Sequence, residues 1–270
     1  MHSTLISIVT INKNNLQGLR RTVNSVLKQN DKNFNWLILD GNSTDGSIEY
    51  IKSIECDTLR IIIEDDEGIY QAMNKAIDCV NHNDFVWFLN SGDSLFNETV
   101  VNEINIRNFD GEIIYGDFVM TNFNTNHPIS TKVNTPNELS ALWLVKKTLN
   151  HQSYMVRGSL LKLHPFNLEY KVCADWVQFF KILWTTREIR IEKINIPLIS
   201  YETGGFSFKH EKVRLKERKK FLESFFSEKV LADLNTVSSL VSKEEFPSIL
   251  KIVKGKYRWI ILRLFIKILS

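Results

Sequence analysis

Short apolar runs punctuate the first half of the chain, at Leu5–Ile11, Phe34–Leu39, Leu59–Ile63, Phe85–Leu89 and Ile113–Tyr115. Each is too short for a buried helix and rich in branched residues, which predicts buried strands. Between them the spacing changes to that of a helix. Leu16, Leu19, Val23, Val26 and Leu27 fall on one helical face, as do Ile69, Ala72, Met73, Ala76, Ile77 and Val80. Alternation of strand and helix over roughly the first 90 residues predicts βαβ units, and so an α/β fold with a mostly parallel central sheet covered by helices on both faces.

In such sheets ligands collect beyond the carboxyl ends of the strands. The four segments that follow the first four runs are polar: TINKNN (10–15), DGNSTDGS (40–47), EDDEG (64–68) and NSGD (90–93). Acid and amide groups therefore converge on one sheet edge. No GxGxxG follows the first strand and no GxxxxGK[ST] is present, which argues against a dinucleotide site and a P-loop.

Composition narrows the class. With 270 residues, 43% of them hydrophobic, the chain can bury a core without disulfides or structural metals. A net charge of +3 conceals a carboxylate-rich first part and a stretch after Phe208 crowded with Lys and Arg. Cys56, Cys79 and Cys173 fit neither a disulfide framework nor a CxxC motif, which suits a reducing compartment. The N-terminus lacks a signal-peptide pattern, and no run approaches the ~20 apolar residues of a membrane span. A cytoplasmic protein is expected.

Three segments carry candidate chemistry. In DGNSTDGS, Asp40 ends a strand and Gly41 allows a tight turn before a capped helix; ordinary turn chemistry accounts equally well for these residues. EDDEGIYQAMNKAI (64–77) sets four carboxylates before a helix, more than capping needs, with Asn74 and Lys75 opposite the apolar stripe and available to a nucleotide or phosphate. In FVWFLNSGD (85–93), an apolar strand runs straight into Asn90, Ser91, Gly92 and Asp93. A carboxylate on such a turn suits Mg²⁺ or Mn²⁺, whose preferred ligands are oxygens.

ISIVT, ILDGNSTDGS, EDDEGIYQAMNKAI and FLNSGD, in this order and spacing, resemble bacterial glycosyltransferase family 2, in particular its exopolysaccharide and O-antigen subgroup, over roughly residues 4 to 210. The resemblance implies a GT-A fold and transfer of a sugar from a nucleotide-sugar with inversion. It places Thr10 and Asn12 in the nucleotide pocket, Asp40 and Asp66 at the base or ribose with Asn74 nearby, and Asp93 on a Mn²⁺ or Mg²⁺ ion. Lys75, Ser91, Asp117, His151 and Trp176 would border the donor sugar or acceptor, His151 alongside Gln152. Asp175, in VCADWVQFF (172–180), would be the base that takes the acceptor proton. YETGGFSFKH (201–210) resembles a lid, with Gly204 and Gly205 as hinge and Ser207 and His210 approaching the diphosphate. Two departures stand out: the acidic turn begins with Asn90, and Met73 stands where a basic residue is common.

The expected division is a catalytic domain at 1–208 and a basic helical region at 209–270. The terminus KGKYRWIILRLFIKILS (254–270) interleaves Trp, Ile and Leu with Lys and Arg, a composition that suits the inner face of the cytoplasmic membrane. Docking on the catalytic domain or a homodimer contact would use the same pattern; no nucleic-acid module accompanies it. The expected reaction is hexose transfer from a UDP-sugar to a lipid-linked saccharide. A sugar nucleotidyltransferase lacks the Gly-rich, Arg-containing first loop it would need, and a non-catalytic paralogue would have little use for both Asp93 and Asp175.

Overall fold

The computed structural model describes residues 5–107, 109–122, 129–139, 141–186, 188–202 and 209–241. The chain divides into two compact units, Met1–Leu215 and Lys216–Ser270. The first unit holds the sheet. Its opening half runs β1 (Ile6–Asn12), α1 (Leu16–Leu27), β2 (Phe34–Asp40), α2 (Ser47–Lys52), β3 (Leu59–Ile63), α3 (Ile69–Cys79) and β4 (Phe85–Phe88). There follow β5 (Ser94–Leu95), α4 (Val100–Asn105), β6 (Ile113–Asn122), β7 (Ile129–Val133), α5 (Ala141–Lys146), β8 (Tyr154–Arg157), α6 (Gly158–Leu163), α7 (Ala174–Thr185) and β9 (Ile191–Glu202). Helices α8 (Glu211–Phe225) and α9 (Glu228–Val241) close the described chain.

Strand order is β3-β2-β1-β4-β8-β6-β9-β5, with β7 added beside β6. The pairs β3–β2, β2–β1 and β1–β4 are parallel, as the alternating pattern predicts. Beyond β4 the sheet is mixed: β8 is antiparallel to β4 and β6, β5 to β9 and β7 to β6, while β6 and β9 are parallel. Every residue of β1 is buried, because this strand has partners on both edges and layers on both faces.

Helix starts follow from local chemistry. The Asn15 side chain accepts the Gly18 N–H (3.1 Å) and so caps α1, whose face Leu19, Val23 and Val26 enters the core beside Ile8, Trp36 and Trp87. In α3 the Asp66 Oδ1 accepts the Gly68 N–H (2.9 Å), and Tyr70, Met73, Ala76 and Ile77 form the buried face. The register Asn12↔Asp40 sets the carboxyl ends of β1 and β2 side by side, and Ser91 N–H to Ile11 C=O (3.1 Å) brings in the segment after β4.

Candidate active site

Those strand ends are laced together by buried polar groups. Asn12 Nδ2 donates to Asp40 Oδ2 (2.6 Å), and Asn12 Oδ1 accepts from Ser91 Oγ (2.6 Å). Ser43 donates to Asp40 through its N–H (2.7 Å) and its hydroxyl (2.9 Å). Buried polar groups need such partners, so three loops separated in sequence are held in one arrangement. The acidic segment approaches Gly41 closely: a Cβ there would stand 2.1 Å from Asp66 Oδ2, and that carboxylate would have to shift.

This lacing buries several of the expected site residues. Thr10 and Asp40 are 0% exposed, and Thr10 Oγ1 accepts the Trp36 indole N–H (3.2 Å). With the buried Asn12 they shape the loops from beneath. The Asn74 amide donates to Phe166 C=O (2.9 Å) and accepts from Phe166 N–H (2.8 Å), pinning the segment before α7. The Trp176 indole is buried, donates to Leu144 C=O (3.0 Å) and packs on Phe180.

The acidic segment keeps an exposed edge. Lys75 Nζ donates to Asp65 C=O (2.8 Å) and lies 3.1 Å from Glu64, while Lys13 Nζ donates to Asp66 C=O (3.1 Å). Both cations thus flank the carboxylates that precede α3. Asp117 sits apart from this edge, at a register shift in β6. Its carboxylate accepts from Thr135 N–H (3.0 Å) and hydroxyl (3.1 Å) and pairs with Lys132 and Lys193 (both 3.3 Å), so it ties β6, β7 and β9 together.

The segment after β4 meets α7 through the 3₁₀ turn His151–Ser153. Thr22 on α1 holds the Asn90–Asp93 turn from below: its hydroxyl donates to Asp93 C=O (2.6 Å) and accepts Gly92 N–H (3.0 Å), with Gly92 at φ 112°, a conformation that favours glycine. Asp93 is 6% exposed, and its Oδ2 accepts from Gln152 Nε2 (2.6 Å). One residue earlier, His151 Nδ1 lies 3.1 Å from Asp175 Oδ2 and its Nε2 lies 3.0 Å from Asn90 Nδ2. Tyr70 completes the set, its hydroxyl 3.0 Å from Asp175 Oδ1 and 3.0 Å from Val172 C=O.

Asp175 occupies the first turn of α7, where the helix dipole favours an anion. Burial alone would raise its pKa, but the hydrogen bond and charge of His151, the Trp176 N–H and Tyr70 more than reverse this, and the carboxyl titrates below its ordinary range. It is therefore ionised at neutral pH, as a base must be before it reacts. Burial, reinforced by the Asp175 charge, pushes the Tyr70 hydroxyl well up, so it stays protonated as a donor. Tyr70, Thr22 and Gln152 carry more of this site than their sequence positions advertise. Tyr70 lies in the apolar stripe of α3, and Thr22 on the buried face of α1, where a hydroxyl reads as filler.

Gly204, Gly205 and Ser207 lie outside the described residues, as does the 254–270 segment. His210 is exposed just before α8. Cys56, Cys79 and Cys173 are all free thiols.

Comparison with known proteins bears on this arrangement. The PGL/p-HBAD biosynthesis glycosyltransferase of Mycobacterium bovis is 30% identical over 220 residues, covering 77% of this chain and 80% of that protein. An uncharacterized glycosyltransferase of Mycobacterium tuberculosis is 29% identical over 178 residues, covering 63% of this chain and 65% of that one. Among solved structures, S. aureus TarS 1-349 in complex with UDP superposes with a TM-score of 0.62 at 17% identity, covering 94% of this chain and 77% of that one. The mannosyltransferase PcManGT from Pyrobaculum calidifontis, in complex with GDP-Man and Mn²⁺, gives 0.55 at 11% identity, covering 90% and 82%. At these identities the structural likeness establishes the fold, which is GT-A. The model of the family described as Glycosyl transferase family 2 matches residues 7–152, from β1 through the turn that brings His151 to Asp175, and the chain belongs to that family of glycosyltransferases.

Proposed function

We propose that this glycosyltransferase moves a hexose from a UDP-sugar, with inversion, to a hydroxyl of a lipid-linked saccharide in the assembly of a cell-surface polysaccharide. The observation that carries the reading is Asp175, a carboxylate held ionised by His151 and Tyr70 at the start of α7 and joined through His151 to the Asn90–Asp93 turn. An inverting transfer is a single displacement. The acceptor oxygen attacks the anomeric carbon, its proton passes to Asp175, and the bond to the diphosphate breaks with its electron pair leaving on the diphosphate oxygen.

Asp93 would hold the Mn²⁺ or Mg²⁺ ion. Its donor chemistry fits, since it is an oxygen ligand on a braced turn. Among the described residues no group of three or more His, Cys, Asp or Glu side chains is placed to hold a metal. One carboxylate plus the phosphates of the donor is the usual way Mg²⁺ is bound beside a nucleotide. When bound, the ion supplies positive charge to the departing diphosphate. Asp66, Lys75 and Ser91 stay in the reading at the donor side, with Gly204, Gly205, Ser207 and His210 as the closing segment.

UDP as the donor nucleotide is supported by the complexes of TarS with UDP and with UDP-GlcNAc, proteins of the same fold. Attachment to the inner face of the cytoplasmic membrane is supported by the basic, Ile- and Leu-rich 254–270 segment with its Trp259, taken as part of a C-terminal helical domain from residue 209. No helix among the described residues is long and apolar enough to cross a membrane.

Calorimetric titration with UDP, GDP, dTDP and CMP, each with and without Mn²⁺, tests the donor assignment. Metal-dependent preference for UDP is expected, reduced in Asp93→Ala and kept in Asp175→Asn, which should lose transfer. Equal loss of donor binding in both variants would sink the assignment of separate roles.

A further inference from the structure

The imidazole of His151 sits between groups that ask different things of its two nitrogens. Asn90 Nδ2 lies 3.0 Å from Nε2, and Asp175 Oδ2 lies 3.1 Å from Nδ1. A neutral imidazole carries one N–H, and its neighbours decide which nitrogen holds it. An ionised carboxylate only accepts, so the Asp175 side calls for Nδ1–H. The amide N–H of Asn90 then meets the lone pair on Nε2. Both contacts select the same tautomer. Tyr70 holds the other oxygen of Asp175 (3.0 Å), so the carboxylate is gripped at both ends.

A carboxylate at position 90 would reverse this logic. It would accept at Nε2 as Asp175 accepts at Nδ1, and the ring would become a cation between two anions. Among the described residues, the titratable groups that act on Asp175 or on Tyr70 beside it include Tyr154 on β8, Tyr201 on β9 and Cys173, with Asp93 reached through Gln152. None of these supplies an N–H to Nε2. Asn90 is the residue placed to do so.

We propose that Asn90 and His151 form a positioning unit: Asn90 selects the Nδ1–H tautomer of His151, and that N–H orients Asp175 toward the acceptor hydroxyl. The idea deepens the proposed function and rests on Asp175 as the base. Neither residue touches the reacting atoms. A base displaced by about 1 Å from its working position loses on the order of 100-fold in rate. Removing the imidazole should therefore lower kcat and leave donor affinity in place.

The test uses the full chain and two readouts. Ring ¹⁵N spectra, with the His151 signals assigned by their loss in His151→Ala, should show Nδ1–H in the neutral ring. In Asn90→Asp the ring should remain doubly protonated to a pH about one to three units higher, the usual effect of an added neighbouring anion. Release of nucleoside diphosphate from UDP-, GDP- and dTDP-sugars gives the second readout. His151→Ala should lower kcat about 100-fold with KM for donor unchanged, and His151→Asn, whose amide can replace Nδ1–H, should recover part of it. An Nε2–H tautomer, or an Asn90→Asp protein whose ring titrates as the parent does, overturns the proposal whatever the turnover. Full turnover in Asp175→Asn would instead overturn the base assignment, which the ring spectra do not test.

Discussion

Asp40 offers the sharpest test of the lacing beneath the site. Its carboxylate is 0% exposed and accepts three hydrogen bonds, from Asn12 Nδ2, Ser43 N–H and Ser43 Oγ. A bond to a charged acceptor contributes about 1.5–3 kcal/mol, and a buried donor left without one costs about 1–3 kcal/mol. Asp40→Ala strips all three at once. The donors can partly satisfy one another, since Asn12 Nδ2 already lies 3.3 Å from Ser43 Oγ, so a loss of about 4 kcal/mol is expected rather than the full sum. Asp40→Asn should behave differently. Its new NH₂ would face Asn12 Nδ2 donor to donor, but a half-turn of the Asn12 amide presents Oδ1 to it and Nδ2 to Ser91 Oγ. That hydroxyl can still donate to Ile11 C=O (3.0 Å). The Ser43 hydroxyl, which donated to Asp40 Oδ2, must turn to the position 3.3 Å away then held by Asn12 Oδ1, so charge assistance and part of one hydrogen bond are lost, about 2 kcal/mol. Urea unfolding followed by tryptophan fluorescence measures both variants. The reasoning fails if Asp40→Asn is as destabilising as Asp40→Ala, or if Asp40→Ala lies within about 1 kcal/mol of the parent.

Three further outcomes follow from the same geometry. Asn74→Ala, which removes both bonds to Phe166, should cost about 2 kcal/mol in urea unfolding and leave donor affinity by calorimetry unchanged; a large loss of affinity would place Asn74 at the donor site. Trp176→Phe keeps most of the packing but removes the indole N–H bond to Leu144 C=O, so it should cost about 0.5–1.5 kcal/mol with turnover retained once folded. Asp117→Asn should show a pH-dependent loss. Burial favours a raised pKa, but Thr135 and Lys193 more than reverse it, leaving the group below 3.8. As pH falls the unfolded chain takes up the proton first, so the contribution of Asp117 is complete above about pH 4 and fades as pH drops through the folded pKa. The gap between parent and variant urea midpoints should therefore be widest near neutrality and narrow below about pH 4.

The opening βα alternation, the parallel order of its strands and the polar loops at their carboxyl ends were legible in the chain, because strand and helix periods and turn residues are local properties. The Asn90–Asp93 turn was legible as a polar turn after an apolar strand, whereas Asp175 was singled out by the resemblance of VCADWVQFF to the family's acidic motif and by no local pattern. The mixed second half of the sheet was not legible, since β8 pairs with β4 and β6 across long separations that no local pattern encodes. Nor were the partners of the buried polar side chains. A polar side chain announces what it can bond to, whereas only the tertiary structure decides which partners take up its lone pairs and protons. Thr10 is spent on Trp36, Asn74 on Phe166 and Asp40 on Asn12 and Ser43, through contacts 26, 92, 28 and 3 residues apart. His151 and Asp175 are 24 residues apart, and Asn90 and His151 are 61; their residue types come from the sequence, but the single hydrogen-bonded line they form exists because β4, the 3₁₀ turn and α7 meet at one place.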